Sequence, residues 1–239
     1  MRADLYLVER GFFSSRARAQ AAVKAGLVQV NGRVLSKPSA SIPDGADVRA
    51  EQPHPYVSRG GLKLAHALDR FDIDVKGRVG LDIGSSTGGF TDVLLRASAA
   101  HVHAVDVGRD QFHASLRGDP RITLREGQDA RQITAAMFDP APDLLVCDAS
   151  FISLTKLLGP ALQLTREAVL LVKPQFEVGR QNIGKGGIVR AGAEDALERV
   201  KAWLRGEGWR VLALADSPIA GGSGNREYLL HAAKREGSA

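Results

Sequence analysis

The stretch Val79-Gly-Leu-Asp-Ile-Gly-Ser-Ser-Thr-Gly-Gly-Phe90 decides the fold of this 239-residue chain. Its first residues are apolar and predict a buried strand, and the glycines and small hydroxyl residues that follow predict a sharp turn into a helix over 88–98. At such a turn, backbone N–H groups and the positive end of the helix dipole point toward one place, which can bind a ligand. A tight turn without a ligand is the alternative interpretation.

Two acidic residues indicate which ligand the turn accepts. Asp82 lies at the end of the predicted strand, and Asp106 ends the next strand-like run 24 residues later, where it is placed to bind ribose hydroxyls. The first Gly-x-Gly of the dinucleotide fingerprint is missing, and few basic residues lie nearby to neutralise a diphosphate. The sequence therefore favours S-adenosylmethionine, which is cationic and carries no phosphate, over a dinucleotide.

The candidate cofactor-binding residues come from this turn and from the strand ends. Asp129 follows the third predicted strand and is expected to reach an adenine amino group. The full set is Asp82, Gly84, Ser85, Ser86, Thr87, Gly88, Gly89, Phe90, Asp106, Val107, Asp129 and Asp148.

Apolar runs separated by helical stretches recur along the rest of the chain. Strands are predicted at 79–84, 101–107, 122–126, 144–148, 168–173, 210–216 and 227–233. Alternating strands and helices imply right-handed crossovers, and hence a Rossmann-like α/β domain with a seven-stranded, mostly parallel sheet. Ligands of such sheets bind at the carboxyl ends of the strands.

Composition excludes several classes of protein. Apolar residues make up 44% and charged residues 25%, as in ordinary globular domains. No apolar run approaches the length of a membrane span, and the N-terminus lacks the apolar region of a secretory signal. Cys147 is the only cysteine, which rules out an intrachain disulfide and a cysteine metal cluster. We therefore expect a cytoplasmic protein that needs neither a membrane nor a metal.

The positive charge is concentrated at the N-terminus. Residues 1–63 carry ten Lys/Arg and five Asp/Glu, whereas residues 64–239 carry 22 of each. A basic module joined to a neutral α/β body predicts an anionic polymer as partner. A solvated basic face without a function is the alternative.

The N-terminal residues form a recognisable pattern. The runs Arg2-Ala-Asp-Leu-x-Leu-Val-Glu-Arg-Gly, Ser15-Arg-x-x-Ala-Gln and Ala25-Gly-x-Val-x-Val-Asn-Gly predict two helices followed by a hairpin that turns at Asn31-Gly32. They closely resemble the S4-type RNA-binding module over residues 2–50. The resemblance implies that RNA phosphates are met by Arg2, Arg16, Arg18 and Lys24. We expect an N-terminal α+β domain over 1–52, a linker over 53–59 and the larger domain over 60–239.

Four further charged residues lie at strand ends or near a helix start, although Lys63 and Glu227, taken alone, are equally explained as solvated surface residues. Asp148 and Lys173 each close an apolar strand, Glu227 opens the last strand, and Lys63 lies on a helix that Ser58 is expected to cap. On that helix the expected buried face consists of Leu62, Ala65, His66 and Leu68. A lysine at the end of a buried strand needs a partner, and Asp148 is the nearest candidate for Lys173. A purely structural ion pair is the alternative.

In order and local context, Lys63, Asp148, Lys173 and Glu227 match the catalytic tetrad of FtsJ-type ribose 2'-O-methyltransferases. Together with the N-terminal module, the chain resembles the TlyA family of rRNA cytidine-2'-O-methyltransferases, which are often labelled hemolysins. The resemblance implies methylation of 16S or 23S rRNA, with ribosomal subunits as partners.

Within this resemblance we expect Lys173 to act as the base, Asp148 to orient it, and Lys63 with Glu227 to position the ribose. A lysine is ordinarily protonated at neutral pH, so repulsion by Lys63 and loss of water must favour its neutral form. The glycine-rich segment 178–192 is expected to cover the substrate, and Arg59, Arg180 and Lys185 are expected to contact RNA.

Three rival functions lie outside this interpretation. A non-catalytic RNA-binding protein that senses S-adenosylmethionine would not need Lys173 or Glu227. A membrane-active hemolysin is suggested by the family label alone. A nicotinamide oxidoreductase is disfavoured by the missing Gly-x-Gly.

Overall fold

The computed structural model describes residues 1–51, 54–221 and 223–235, and the side chain of Arg180 is outside the description. The chain divides into two compact units, Met1–Pro55 and Tyr56–Ala239. Gln52 and Pro53, at the predicted boundary between the N-terminal domain and the linker, lie outside the described residues. The predicted domain limits therefore stay predictions.

The N-terminal unit combines two helices with a small antiparallel sheet. Ser15 caps the second helix by accepting a hydrogen bond from the Arg18 backbone N–H, and Asn31 and Gly32 both have positive φ, as the predicted two-residue hairpin turn requires. The sheet order is β2-β1-β3. The elements are α1 Ala3–Glu9, α2 Arg16–Lys24, β1 Val28–Val30, β2 Arg33–Val34 and β3 Val48–Ala50.

A buried carboxylate joins the two helices of this unit. Asp4, on α1, has no exposed surface and accepts hydrogen bonds from Arg2 (3.1 Å), Arg16 (2.9 Å) and Gln20 (2.8 Å). These hydrogen bonds hold the pKa of Asp4 well below its usual range, and the bond from Arg2 lowers the pKa most. Two of the arginines predicted to meet RNA thus also stabilise the unit that presents them.

The larger unit is a three-layer α/β/α domain. Its elements are α3 Gly60–Arg70, β4 Val79–Ile83, α4 Gly89–Arg96, β5 His101–Asp106, β6 Ile122–Glu126, β7 Leu144–Cys147, α5 Leu154–Leu157, α6 Gly159–Leu164, β8 Glu167–Val172, α7 Pro174–Glu177, α8 Ala193–Gly206, β9 Trp209–Asp216 and β10 Tyr228–Lys234. The sheet order is β6-β5-β4-β7-β8-β10-β9. Strands β4 to β8 pair in parallel, and β10 is antiparallel to both β8 and β9.

The predicted fold class is confirmed, with each of the seven strands displaced by at most one residue at either end. Alternate residues of the central strands enter opposite layers: Leu170 and Val172 pack with α5, α6 and α8, whereas Val169 and Leu171 pack with α3 and α4. The helix after the glycine turn is shorter than the predicted 88–98. No helix in the described part of the chain is long and apolar enough to cross a membrane.

The reversed direction of β10 brings distant parts of the sequence together. Tyr228, the first residue of β10, pairs with Val172, the last residue of β8. Glu227 precedes the first of these and Lys173 follows the second, so both lie at the carboxyl edge of the parallel strands. Ligands of α/β sheets bind at this edge.

The buried face of α3 differs from the prediction. Its buried residues are Gly61, Lys63, Leu64, Ala67 and Leu68, so the prediction was wrong for Leu62, Ala65 and His66, which are only partly buried. The sequence contains two overlapping helical sets of apolar residues, and packing decides between them. Gly61 lies against Tyr56, where an added Cβ would be 2.5 Å from the tyrosine Cβ. Ser58 does not cap the helix, whose N-cap residue is Arg59.

The glycine turn depends on a close backbone approach that can be tested. Gly84 has φ +79°, and a Cβ there would lie 3.0 Å from the Ala149 Cα. We expect Gly84→Ala to lower the free energy of unfolding by at least about 1–2 kcal/mol, because an L-residue is strained at positive φ and the obstructing atoms are backbone. Urea denaturation measures the change.

Gly206→Ala is the matched control, since an added Cβ there meets nothing within 4 Å at the end of α8. That variant should be neutral or stabilised by up to about 1 kcal/mol. Equal stability of the two variants would contradict the role given to Gly84.

Candidate active site

Two lysine–carboxylate pairs occupy the carboxyl edge of the sheet. Lys63 Nζ lies 2.6 Å from Glu227 Oε2, and Lys173 Nζ lies 2.6 Å from Asp148 Oδ1. Lys63, Lys173 and Glu227 are buried, and Asp148 is partly exposed. Because a buried charge is costly without a partner, each pair holds its members in place. The structure thus brings all four predicted catalytic residues to one end of the domain, as two pairs.

The loop after β7 adds residues that the sequence did not single out. Ser150 Oγ accepts a hydrogen bond of 2.8 Å from Lys173 Nζ, so the lysine has two oxygen partners on this loop. Phe151 is 91% exposed and has φ +68°, a rare combination for a bulky residue. Its ring lies 5.3 Å from that of Phe176. Strain of this kind tends to concentrate at functional sites.

Glu177 ties this loop to the helix that follows Lys173. Its carboxylate accepts hydrogen bonds from Ser153 Oγ (2.6 Å) and from the Leu154 backbone N–H (2.8 Å). Burial raises the pKa of Glu177. The loop that carries Asp148 and Ser150 is thereby held against α7, which begins next to Lys173.

A cavity of about 440 Å³ opens beside the Lys173–Asp148 pair, and Asp148 and Ser150 form part of its lining. This volume is in the range of small-molecule sites. Of the predicted cofactor residues it is lined by Gly84, Ser86, Asp106, Val107, Asp129 and Asp148. The cavity therefore brings together residues from the ends of four parallel strands, as expected for a ligand of a doubly wound sheet.

Asp106 organises the wall of this cavity. Its carboxylate accepts hydrogen bonds from the backbone N–H groups of Ser86 (2.8 Å) and Gly108 (2.7 Å). It thus fixes the glycine turn to the end of β5 while it faces the cavity. Asp129 also lines the cavity, where Arg131 donates hydrogen bonds to its carboxylate and lowers its pKa.

Several predicted cofactor residues support the turn and do not face the cavity. Among the described residues, the lining does not include Asp82, Ser85, Thr87, Gly88, Gly89 or Phe90. Phe90 belongs to the hydrophobic core with α3, and an added Cβ at Gly88 would lie 2.6 Å from Leu116. Gly88 and Phe90 therefore support the start of α4 through contacts with the hydrophobic core.

Asp82 and Ser85 carry buried polar atoms that have no partner among the residues that the structure describes. Asp82 accepts a hydrogen bond of 2.7 Å from Thr91 through one oxygen, whereas its Oδ1 atom and the Ser85 hydroxyl lack a partner. Burial raises the pKa of Asp82 to about 7. These atoms lie behind Ile83, Gly84 and Ser86, which line the cavity, and a ligand with a positively charged polar end, such as S-adenosylmethionine, fits unsatisfied buried oxygens at this turn.

The candidate RNA-binding residues are distributed over both units. Arg2, Arg16, Lys24, Arg59 and Lys185 are exposed, and Arg18 is partly exposed on α2. Arg2 and Arg16 also bond Asp4. The side chain of Arg180 lies outside the described residues. No group of His, Cys, Asp and Glu with the arrangement of a metal site occurs in the described ranges.

Comparison with known families agrees with this geometry. A profile of the FtsJ-like methyltransferase family matches residues 56–234, and a profile of the S4 domain matches residues 1–48. The fold and the family matches therefore define an FtsJ-like methyltransferase that carries an S4 domain, and S-adenosylmethionine is the cofactor of this class.

Relatives narrow the identification. The 16S/23S rRNA (cytidine-2'-O)-methyltransferase TlyA of Mycobacterium tuberculosis is 44% identical over 96% of this chain and 88% of its own length. Hemolysin A of Brachyspira hyodysenteriae is 40% identical over 97% of this chain and 99% of its own. A solved structure from Streptococcus thermophilus that carries a hemolysin label is 41% identical and covers 99% of this chain and 89% of its own, with a TM-score of 0.77. The chain belongs to the TlyA family of rRNA (cytidine-2'-O)-methyltransferases, which confirms the resemblance seen in the sequence.

The raised pKa of Asp82 leads to a test of its role. In the folded, cofactor-free protein its carboxyl titrates near 7, above its ordinary value of 3.8, so ionisation is penalised and stability falls as pH rises between these values. We expect Asp82→Asn to stabilise the cofactor-free protein at pH 8, by up to about 4 kcal/mol, and to change little at pH 4. Urea denaturation at both pH values measures this.

The same variant should bind S-adenosylmethionine more weakly, because the amide cannot pair with a cation. The affinity of the unmodified protein for S-adenosylmethionine, measured by calorimetry, should rise about tenfold between pH 6 and pH 8 as Asp82 ionises. The affinity of Asp82→Asn should not show this rise with pH. An unchanged affinity of the variant at pH 8 would contradict a cofactor role for Asp82.

Proposed function

We propose that the protein transfers a methyl group from S-adenosylmethionine to the ribose 2'-hydroxyl of a cytidine in 16S or 23S rRNA. The observation that carries this proposal is the presence of two ion pairs, Lys63–Glu227 and Lys173–Asp148, at the carboxyl edge of the sheet, where Asp148 also lines a cavity of cofactor size. We place this activity in the cytoplasm, where ribosomal subunits are found.

The cofactor, when bound, supplies an electrophilic methyl group on a sulfonium. Asp106 is suited to hold its ribose, and Val107 and Asp129 are suited to flank its adenine, because all three line the cavity. The unpartnered oxygens of Asp82 and Ser85 are suited to its polar end. Asp148 lines the same cavity and pairs with Lys173, which links cofactor binding to the catalytic pairs.

The chain's own residues must remove the proton of the 2'-hydroxyl as the new bond forms. Lys173 is assigned this step, with Asp148 and Ser150 holding its amine in a fixed position. Lys63 and Glu227 position the ribose, and much of the rate enhancement is expected to come from alignment of the reacting atoms.

Recognition of RNA is divided between the two units. The basic S4 domain supplies phosphate contacts. The candidates are Arg18 and Lys24 of α2, together with Arg2 and Arg16, which also bond Asp4. On the catalytic unit, Phe151 offers an exposed ring for stacking on an unstacked base, and Arg59, Arg180 and Lys185 are candidates for phosphate contacts.

Transfer of labelled methyl groups to separated ribosomal subunits tests the reaction. We expect label to be recovered as 2'-O-methylcytidine, and Lys173→Ala to abolish transfer while binding S-adenosylmethionine normally. The affinity should persist because Lys173 does not line the cavity. Nucleoside mass spectrometry identifies the product.

Three results would contradict this assignment. Label on a base would keep the methyltransferase fold but overturn the role of the four residues. Retained turnover in Lys173→Ala would remove the proposed base. Absence of label despite tight cofactor binding would favour the non-catalytic RNA-binding interpretation.

Charge removal tests the N-terminal unit. We expect Arg18→Gln with Lys24→Gln to weaken rRNA binding and to reduce the slope of log K against log salt by about 1–2, because a protein that neutralises fewer phosphates releases fewer counterions. Filter binding at several salt concentrations measures the slope. Glu9→Gln on the exposed surface of α1 is the control, and an unchanged slope in the double variant would contradict the role of α2.

A further inference from the structure

A buried asparagine connects the glycine-rich segment to the residues that lead into β10, among them Glu227. Asn225 is 5% exposed, and its side chain makes two hydrogen bonds with backbone groups of that segment. Its Oδ1 accepts from the Val189 N–H at 2.9 Å, and its Nδ2 donates to the Gly187 carbonyl at 2.8 Å. One partner is only a donor and the other only an acceptor, and the amide satisfies both through separate oxygen and nitrogen atoms.

The segment held by Asn225 is a small hairpin over 182–190. Arg190 N–H donates to the Asn182 carbonyl (2.9 Å), and Gly184 N–H donates to the Ile188 carbonyl (2.7 Å). Ile183 and Val189 form an isolated antiparallel bridge. Lys185 lies exposed at its tip. The hairpin has few buried apolar residues of its own, so outside contacts must hold it.

The hairpin is linked to a residue of each catalytic pair, by chain continuity to Lys173 and by hydrogen bonds to a neighbour of Glu227. It follows α7, which begins directly after Lys173, and it is bonded back to Asn225, two residues before Glu227. The Asn225 carbonyl also accepts a hydrogen bond from the Gly221 N–H (2.9 Å), and an added Cβ at Gly221 would lie 2.4 Å from Glu227 Oε1. The same residue therefore fixes the hairpin and the chain that packs against the Glu227 carboxylate.

We propose that Asn225 is a positioning residue, which holds the hairpin 182–190 beside the chain that carries Glu227 and keeps Glu227 in register with Lys63. This inference rests on the proposed function. Asn225 does not touch the reacting atoms. It acts through the hairpin, which presents Lys185 to the RNA backbone, and through the Glu227–Lys63 pair.

Asn225→Asp tests the proposal, because it keeps the shape but places a carboxylate oxygen against the Gly187 carbonyl. We expect exchange of the Val189 amide hydrogen to accelerate at least tenfold, with exchange in β8 unchanged. The single-turnover rate of methyl transfer at saturating rRNA should fall about 10- to 100-fold, as expected for misplaced reacting groups. Affinity for S-adenosylmethionine should stay within twofold, because Asn225 does not line the cofactor cavity.

Gln181→Glu is the charge-matched control, since it makes the same amide-to-acid change at an exposed position beside the hairpin. Its Val189 exchange should match the unmodified protein, and its rate should fall much less than that of Asn225→Asp. If Asn225→Asp does not fold, Asn225→Ser replaces it, because serine shortens the side chain without adding a charge.

Faster Val189 exchange with an unchanged single-turnover rate would overturn the proposal, since Asn225 would then have only a structural role. Unchanged exchange in both Asn225 variants would also overturn it. If the unmodified protein methylates no ribosomal subunit, the proposed function fails, and the exchange measurement still decides whether Asn225 holds the hairpin.

Discussion

The site depends on the antiparallel pairing of β10 with β8. In a purely parallel sheet the start of the last strand would lie at the edge opposite the ligand, and Glu227 would be far from Lys173. Because Tyr228 pairs with Val172, Glu227 before Tyr228 and Lys173 after Val172 both lie at the carboxyl edge. Lys63 from α3 and Asp148 from the end of β7 then find their partners there.

Charge burial makes this arrangement specific. A lysine or glutamate with less than a tenth of its surface exposed is strongly unfavourable unless an opposite charge is within ion-pair distance. Each pair therefore selects the one arrangement of α3, β7, β8 and β10 in which both charges are satisfied. Polar atoms of Asp82 and Ser85, by contrast, have no hydrogen-bond partner among the described residues. Such exceptions are expected at functional sites, where a ligand supplies the missing partner.

The two units solve different physical problems. The S4 domain is small, and its buried Asp4 cluster stabilises two helices while leaving cationic groups at the surface. The catalytic unit buries apolar layers on both faces of its sheet, so its carboxyl edge can carry strained and unsatisfied groups such as Phe151 and Asp82. A rigid sheet supports a polar edge that would not hold its shape alone.

The sequence by itself determined the fold class, the strand positions, the cofactor type and the family, because these follow from local periodicity and from motifs whose residues are neighbours in the chain. It also indicated Lys63, Asp148, Lys173 and Glu227 by their positions and Asp148 as the partner of Lys173, whereas their grouping as one catalytic set came only from the resemblance. Tertiary structure alone decided which face of α3 is buried, that Lys63 pairs with Glu227, that Ser150 and Glu177 support the loop beside Lys173, and that Asn225 bonds the hairpin. These depend on contacts between residues far apart in the chain, such as the 164 positions that separate Lys63 from Glu227, for which local periodicity carries no information.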